Sequence, residues 1–236
     1  MKQKIIEAFN VLSVDYEYHV DEKSVYNSDY ERPAMMRQIP TELENKHVLD
    51  AGCAAGWYSE QFINRGANVV AIDSSPNMIE AAKRRLGANA TVLNMSLEEK
   101  LPFADATFDY IVSSLVLHYI KDWTFTFQQF KRILKPNGML LYSVHHPFMD
   151  RRLSKSDDYF TTELIVDKWK KGGKLVEVPF YRRPQQEIVN TTLKYFSLSE
   201  LIEPQPTKSC YVKEPDQYEK LMKNPHFLII KALNNK

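Results

Sequence analysis

Apolar and polar positions change rhythm twice along this chain, and the rhythm predicts its architecture. From residue 46 onward, short β-branched runs alternate with helical patterns, as in a parallel sheet with crossover helices. Strands are expected at 47–51, 68–73, 90–94, 108–114 and 139–144. Residues 57–65 read as a helix stopped by Gly66. Ser74-Ser75-Pro76 opens the next with a capping residue and a first-turn proline, and that helix runs to Leu86 before Gly87. Asp122 caps a third, whose Trp123, Phe127, Phe130 and Leu134 share one buried face until Lys135-Pro136-Asn137-Gly138 breaks it.

Outside this block the pattern differs. Residues 1–12 are helical, with Ile5, Ile6, Phe9 and Leu12 on one side. Residues 159–169 and 175–181 read as two strands joined by Lys170-Lys171-Gly172-Gly173-Lys174, a hairpin signal. A helix near 185–195, an apolar run at 198–202 and a last strand at 226–232 follow. The expected fold is α/β, a doubly wound, mostly parallel sheet in a single domain over 1–236. Within it, 1–45 is an N-terminal helical cap, 46–149 a ligand-binding core and 185–236 a C-terminal helix with the last strands. The inserted strands at 150–184 read as a substrate cover, or as a hairpin that only shields a sheet edge.

Composition narrows the partners. The 236 residues can bury a full core, and the net charge of +1 makes no electrostatic case for nucleic acid or an anionic membrane. Two cysteines, Cys53 and Cys210, and no apolar run of signal-peptide or membrane-spanning length point to the cytoplasm. No Cys/His spacing suggests a metal.

The chemistry is concentrated in Val48-Leu49-Asp50-Ala51-Gly52-Cys53-Ala54-Ala55-Gly56-Trp57, an apolar strand entering a small-residue turn. Small residues let a backbone approach its ligand closely, and the next helix begins with free N–H groups facing it. Asp73 closes the second strand, where a carboxylate can accept hydrogen bonds from both hydroxyls of a ribose. The glycines at 52 and 56, with Ala54 between, do not make the G-x-G-x-x-G spacing of a dinucleotide site, so a nicotinamide oxidoreductase is a weak reading.

The pattern Asp-x-Gly-x-Ala-x-Gly resembles the first motif of the class I S-adenosylmethionine-dependent methyltransferases, of the small-molecule, type 11 kind. Ile72-Asp73-Ser74-Ser75-Pro76-Asn77-Met78-Ile79, Leu101-Pro102-Phe103-Ala104-Asp105-Ala106-Thr107-Phe108-Asp109 and Ile133-Leu134-Lys135-Pro136-Asn137-Gly138-Met139-Leu140 are similar to three further motifs of that family, in order. The resemblance implies a seven-stranded Rossmann-like sheet with one antiparallel strand. It implies S-adenosylmethionine as methyl donor and S-adenosylhomocysteine as product. By position, Asp50 would belong to the donor site, Gly52, Cys53 and Ala54 would line the methionine portion, Asp73 would bind the ribose, and Ser74, Met78, Ser96 and Leu97 would serve the adenine. Ser114 and Leu115 would touch the donor's amino group and shape the methyl channel. Tyr30-Glu31-Arg32-Pro33-Ala34-Met35-Met36 resembles a segment that folds over the donor in some relatives.

Transfer from a sulfonium needs alignment, exclusion of water and, for some acceptors, a base. His118, His145 and His146 are the candidate bases, since they follow the fourth and fifth strands; of the last two, alternation turns one into the pocket. His118 also reads as a packing residue in its apolar run. Tyr16, Tyr18, Tyr26, Tyr30, Tyr159, Phe160, Phe180 and Tyr181 would wall the acceptor, and Arg182 with Arg183 would hold an acidic group or stand in solvent. The expected activity is methyl transfer to oxygen or nitrogen of a small molecule. The alternative is a protein that binds the donor without transferring the methyl group, in regulation or assembly.

Overall fold

The computed structural model describes residues 1–171 and 174–235. Its strands are β1 (His47–Ala51), β2 (Asn68–Asp73), β3 (Ala90–Asn94), β4 (Phe108–Ser114), β5 (Leu134–His145), β6 (Glu163–Lys171), β7 (Lys174–Arg182), β8 (Ser197–Ile202) and β9 (Phe227–Leu233). Seven of them form one sheet in the order β3-β2-β1-β4-β5-β9-β8. Pairing is parallel from β3 through β5, and β9 runs antiparallel to both of its neighbours. This is a Rossmann-like α/β sheet.

The helices are α1 (Lys2–Tyr18), α2 (Val20–Lys23), α3 (Arg32–Met36), α4 (Trp57–Ile63), α5 (Pro76–Leu86), α6 (Trp123–Ile133), α7 (Pro147–Asp150), α8 (Gln185–Tyr195), α9 (Lys208–Lys213) and α10 (Pro215–Lys223). A strand's side chains alternate between faces, so each sheet residue belongs to one of two cores. Leu49, Ile111 and Leu140 pack with Phe127 and Phe130 of α6. Val48, Val112 and Leu141 pack with Phe62 of α4 and Met35 of α3. The caps read from sequence are present: Asp122 Oδ1 accepts from Thr124 N at 2.8 Å, and Ser75 Oγ accepts from Met78 N at 3.2 Å.

Several elements depart from expectation. α1 continues to Tyr18, six residues beyond the expected end, with Ile5, Ala8 and Leu12 buried. β5 begins at Leu134 instead of after the Lys135–Gly138 turn, because Asn137 takes a positive φ of 60° and reciprocal bonds with Asn234 hold the bulge in the sheet. α9 and α10 were not foreseen: both are short and largely polar, with only Cys210 and Leu221 buried. β6 and β7 pair only with each other, and β6 starts at 163 because Arg182 holds 158–161 as a loop. Gly172 and Gly173 of the expected hairpin turn lie outside the described residues.

Candidate active site

A cleft of about 1110 Å3, its mouth included, opens at the C-terminal ends of β1, β2 and β4 and beneath α1. The turn after β1 makes its floor. Gly52 N and Cys53 N both donate to Ile72 O, at 2.8 and 2.9 Å, which folds the turn onto the end of β2. Gly52 has φ +90°, and a Cβ there would meet Val116 Cγ2 at 2.2 Å, so bare backbone is required. Ala54 also takes a positive φ, 46°, and its N–H donates to Asp73 Oδ2 at 3.0 Å. Ser75 N donates to the other oxygen, Asp73 Oδ1, at 2.8 Å.

Asp73 is therefore aimed into the cleft by the two turns that flank it. Burial pushes its carboxyl up to about 6, against the N–H bonds from Ser75 and Ala54 that favour the ion. A ligand offering two more donors would favour the carboxylate form. Around it stand Ser74, Met95, Ser96 and Leu97 on one side, and Ala55, Trp57 and Tyr58 on the other. At the second side Arg32 pairs with Asp21 at 2.9 Å, Arg85 pairs with the same carboxylate, and the Arg32 guanidinium lies 4.2 Å over Trp57.

The roof is α1. Its Asn10 Oδ1 accepts from Ser75 Oγ at 2.7 Å, and Asn77 Nδ2 donates to Asn10 O at 3.1 Å. Glu17 takes two bonds of 2.7 Å from Arg84, and Lys2 reaches Glu99. Phe9 and Tyr16 project from this helix into the cleft, and Phe9 meets Tyr119 edge-on at 5.1 Å. Burial pushes the Tyr16 hydroxyl up to about 12, so it stays a hydrogen-bond donor.

The cleft wall thus contains Gly52, Cys53, Ala54, Asp73, Ser74, Ser96, Leu97, Ser114 and Leu115 of the residues singled out from sequence. Three others stand behind it. Asp50 is buried and accepts from Ser59 Oγ at 2.6 Å; burial raises its carboxyl to about 7. Met78 packs with Ala8 and Leu12 under α1. The Tyr30 hydroxyl accepts from His226 N at 3.0 Å.

None of the candidate histidines lines the cleft. His118 is buried and stacked on His145 at 4.0 Å, with Phe180 edge-on to both; burial, then His145 and Arg183, holds its imidazole well below the ordinary range. His145 Nδ1 faces Asp150 at 3.4 Å. His146 caps α7, its Nδ1 accepting from Phe148 N at 3.1 Å, while Nε2 pairs with Glu203 at 2.9 Å beside a separate depression. His145 is held at the end of β5 by His118 and Phe180, and the turn into α7 commits His146 to the helix cap, so strand alternation brings neither into the cleft.

The insertion also differs from its expected role: no described residue of 150–184 lines the cleft. Val176 and Val178 of β7 pack on Ala8 and Leu12 instead, so the ribbon braces the roof from outside. Of the expected aromatic wall, Tyr16 alone is in place; Tyr18 and Phe160 are exposed, and Tyr26 and Tyr30 pack on Phe227. Arg182 and Arg183 are buried structural cations, bonded to the carbonyls of Tyr159, Asp158 and Thr161 and of Ile120 and Lys121 respectively. Among the described residues no cluster of His, Cys, Asp and Glu has metal-binding geometry, and no helix is long and apolar enough to cross a membrane.

Residues 49–142 match the family profile described as a methyltransferase domain. Taken with the sheet order and the cleft at its C-terminal edge, that match identifies a class I S-adenosylmethionine-dependent methyltransferase domain over these residues. Among its relatives is a Buchnera aphidicola malonyl-[acyl-carrier protein] O-methyltransferase, 32% identical over 143 residues, which are 60% of this chain and 54% of that one. A Listeria monocytogenes structure assigned as an S-adenosylmethionine-dependent methyltransferase is 26% identical, with a TM-score of 0.74 over 86% of this chain and 96% of the other. The N-methyltransferase NodS of Bradyrhizobium japonicum, solved with S-adenosylhomocysteine, shares the fold at 16% identity, TM-score 0.66, over 99% and 100% of the two chains.

Proposed function

We propose that the chain transfers the methyl group of S-adenosylmethionine to an oxygen or nitrogen of a small-molecule acceptor bound at the aromatic end of the cleft. The observation that carries the reading is the Asp73 carboxylate, fixed by Ala54 N and Ser75 N beside a floor that has no side chain at Gly52. That arrangement fits a nucleoside held by its ribose, with its tail lying along bare backbone. In this reading Asp73 accepts from the ribose hydroxyls, and Gly52, Cys53 and Ala54 flank the methionine portion. Ser74, Met95, Ser96 and Leu97 enclose the adenine. Arg32 takes the donor's carboxylate; the sequence signalled it only through the segment beginning at Tyr30.

The donor, when bound, supplies a methyl carbon already activated by the positive sulfur beside it. The chain's own work is alignment and the exclusion of water. α1 performs both, closing the cleft through Asn10, Glu17 and Lys2 and presenting Phe9 and Tyr16. Since no imidazole among the described residues lines the cleft, the acceptor that suits it needs no proton removed before transfer: a carboxylate, or an unprotonated amine whose ammonium product sheds its proton to water afterwards. A carboxylate acceptor also accords with the malonyl group in the names of several relatives.

The test is incubation with methyl-labelled S-adenosylmethionine and panels of carboxylic acids and amines, reading labelled product by mass spectrometry. Labelled product from either panel supports the reading. The withdrawn histidines favour one other reading, a donor-binding protein without turnover. S-adenosylhomocysteine binding with no product from either panel would favour it.

A further inference from the structure

Glu31 is a buried carboxylate in a place where the donor reading assigns no role. It ends the π-helical turn Asn27–Glu31, a rare conformation that concentrates at functional sites. It is fully buried, and among the described residues no lysine or arginine bonds to it. Three hydroxyls from three elements converge on it: Tyr58 Oη of α4 at 2.7 Å, Ser114 Oγ at the end of β4 at 2.8 Å, and Ser143 Oγ of β5 at 2.6 Å. Tyr58 and Ser114 line the cleft, so the carboxylate stands one side chain behind its wall. Ser143 Oγ also accepts from the N–H of Leu115, which takes a positive φ of 53° and lines the cleft beside Ser114.

A carboxylate that is stripped of water and fed only by neutral hydroxyls is costly unless something positive comes near. Burial pushes its carboxyl up, and the bonds from Ser143, Tyr58 and Ser114, with the charge of Arg32, work against that. The titratable groups that face it are Tyr58 from α4, Tyr16 from α1 and Arg32 on the next residue. Only Arg32 of these carries a positive charge, and it is paired with Asp21 and, in the donor reading, also faces the donor's carboxylate. A cation in the cleft would supply the missing compensation through a layer of oriented hydroxyl dipoles.

We propose that Glu31 is the counter-charge of the cleft, a specificity-determining residue that makes it hold a positively charged donor more tightly than the neutral thioether left after transfer. This rests on the donor reading above. Acting through Tyr58 and Ser114, Glu31 is a positioning residue, and its effect falls on the affinity for the charged ligand, and so on the ratio of the two affinities, with little change for the neutral one. Such a ratio favours exchange of spent for fresh donor, because the product has lost the charge that Glu31 rewards.

The experiment is calorimetric titration of the full chain with two ligands that share adenosine and tail. One is S-adenosylhomocysteine, neutral at sulfur; the other is sinefungin, which carries a protonated amine in that position. The wild type should prefer sinefungin, and Glu31→Gln should cut that preference by about fivefold or more while S-adenosylhomocysteine still binds. Glu31→Asp, which keeps the charge, should retain most of it. Ser143→Ala, outside the cleft wall, removes one donor to the carboxylate. It should lower the preference at neutral pH and move its onset to higher pH, which keeps the test decisive if Glu31→Gln does not fold. A folded Glu31→Gln or Ser143→Ala protein with an unchanged ratio overturns the inference alone. If S-adenosylhomocysteine does not bind the folded wild type, the donor reading fails and takes this inference with it.

Discussion

Replacing Asp73 by asparagine isolates the charge of the residue on which the proposed donor site turns. Asparagine keeps one acceptor oxygen, enough for Ser75 N or Ala54 N but not for both, and it loses the charge. Hydrogen bonds to charged groups contribute about 1.5–3 kcal/mol, so losing charge-assisted bonds to the ribose should weaken S-adenosylhomocysteine about 10- to 100-fold. The wild type carries a second signature. Its Asp73 carboxyl is pushed up to about 6 by burial, above the ordinary 3.8 that the unfolded chain would show. Between those values the folded, ligand-free protein holds a proton that the unfolded one lacks. Ionised Asp73 is thus a cost to stability that is small in acid and fully present above about 6. Ligand hydroxyls favour the ionised form, so affinity should be flat above that pH and fall by up to about tenfold per unit below it. Calorimetry across this range, on wild type and Asp73→Asn, separates the effects, since the variant should lack the Asp73-dependent fall. An Asp73→Asn protein that is folded and binds as the wild type does would refute the ribose assignment.

Other residues give sharper structural tests. Gly52→Ala places a Cβ against Val116 at 2.2 Å in a left-handed backbone. It should cost about 2 kcal/mol or more in a denaturant titration and abolish S-adenosylhomocysteine binding. His146→Ala should leave that affinity unchanged, because the side chain caps α7 outside the cleft, and should lower Tm by about 2–4 °C for a loss of about 1 kcal/mol; a large loss of affinity would return His146 to the site. Arg183→Met strands the carbonyls of Ile120 and Lys121 and should destabilise by about 2 kcal/mol or more, a purely structural effect; full stability with lost acceptor turnover would restore the substrate-binding reading.

The sheet was legible because burial on alternating sides leaves a plain mark, as at Val48 and Leu49, whose side chains enter opposite cores. The caps at Ser75 and Asp122 were legible because each needs one oxygen at one spacing. α9 and α10 left no such mark: with one buried residue apiece they have no apolar period, and Pro215 at the start of α10 was the signal available. In the site, Gly52, Ala54 and Asp73 could be read because they sit where the adjacent strands β1 and β2 end, and the residue types themselves mark the close approach. Residues whose placement depends on a distant element could not. Met78 turns under α1, Tyr30 is taken by His226, and His118 and His145, the latter at the end of β5, pack against each other and Phe180 while His146 caps α7. Glu31 was invisible as a site residue for the same reason, since its partners come from residues 58, 114 and 143.

The position of β9 sets an order on the life of the chain. β8 is synthesised some 25 residues before β9, yet its partner in the sheet is β9, which also closes the far side of β5. While residues 197–202 leave the ribosome, both β8 and the outer edge of β5 still lack the strand that will join them. The cleft residues, all within the first 120, are already made by then. The half that would recognise a nucleoside is therefore available early, and the nascent sheet stays open until the run from Phe227 to Leu233 slides in as its keystone.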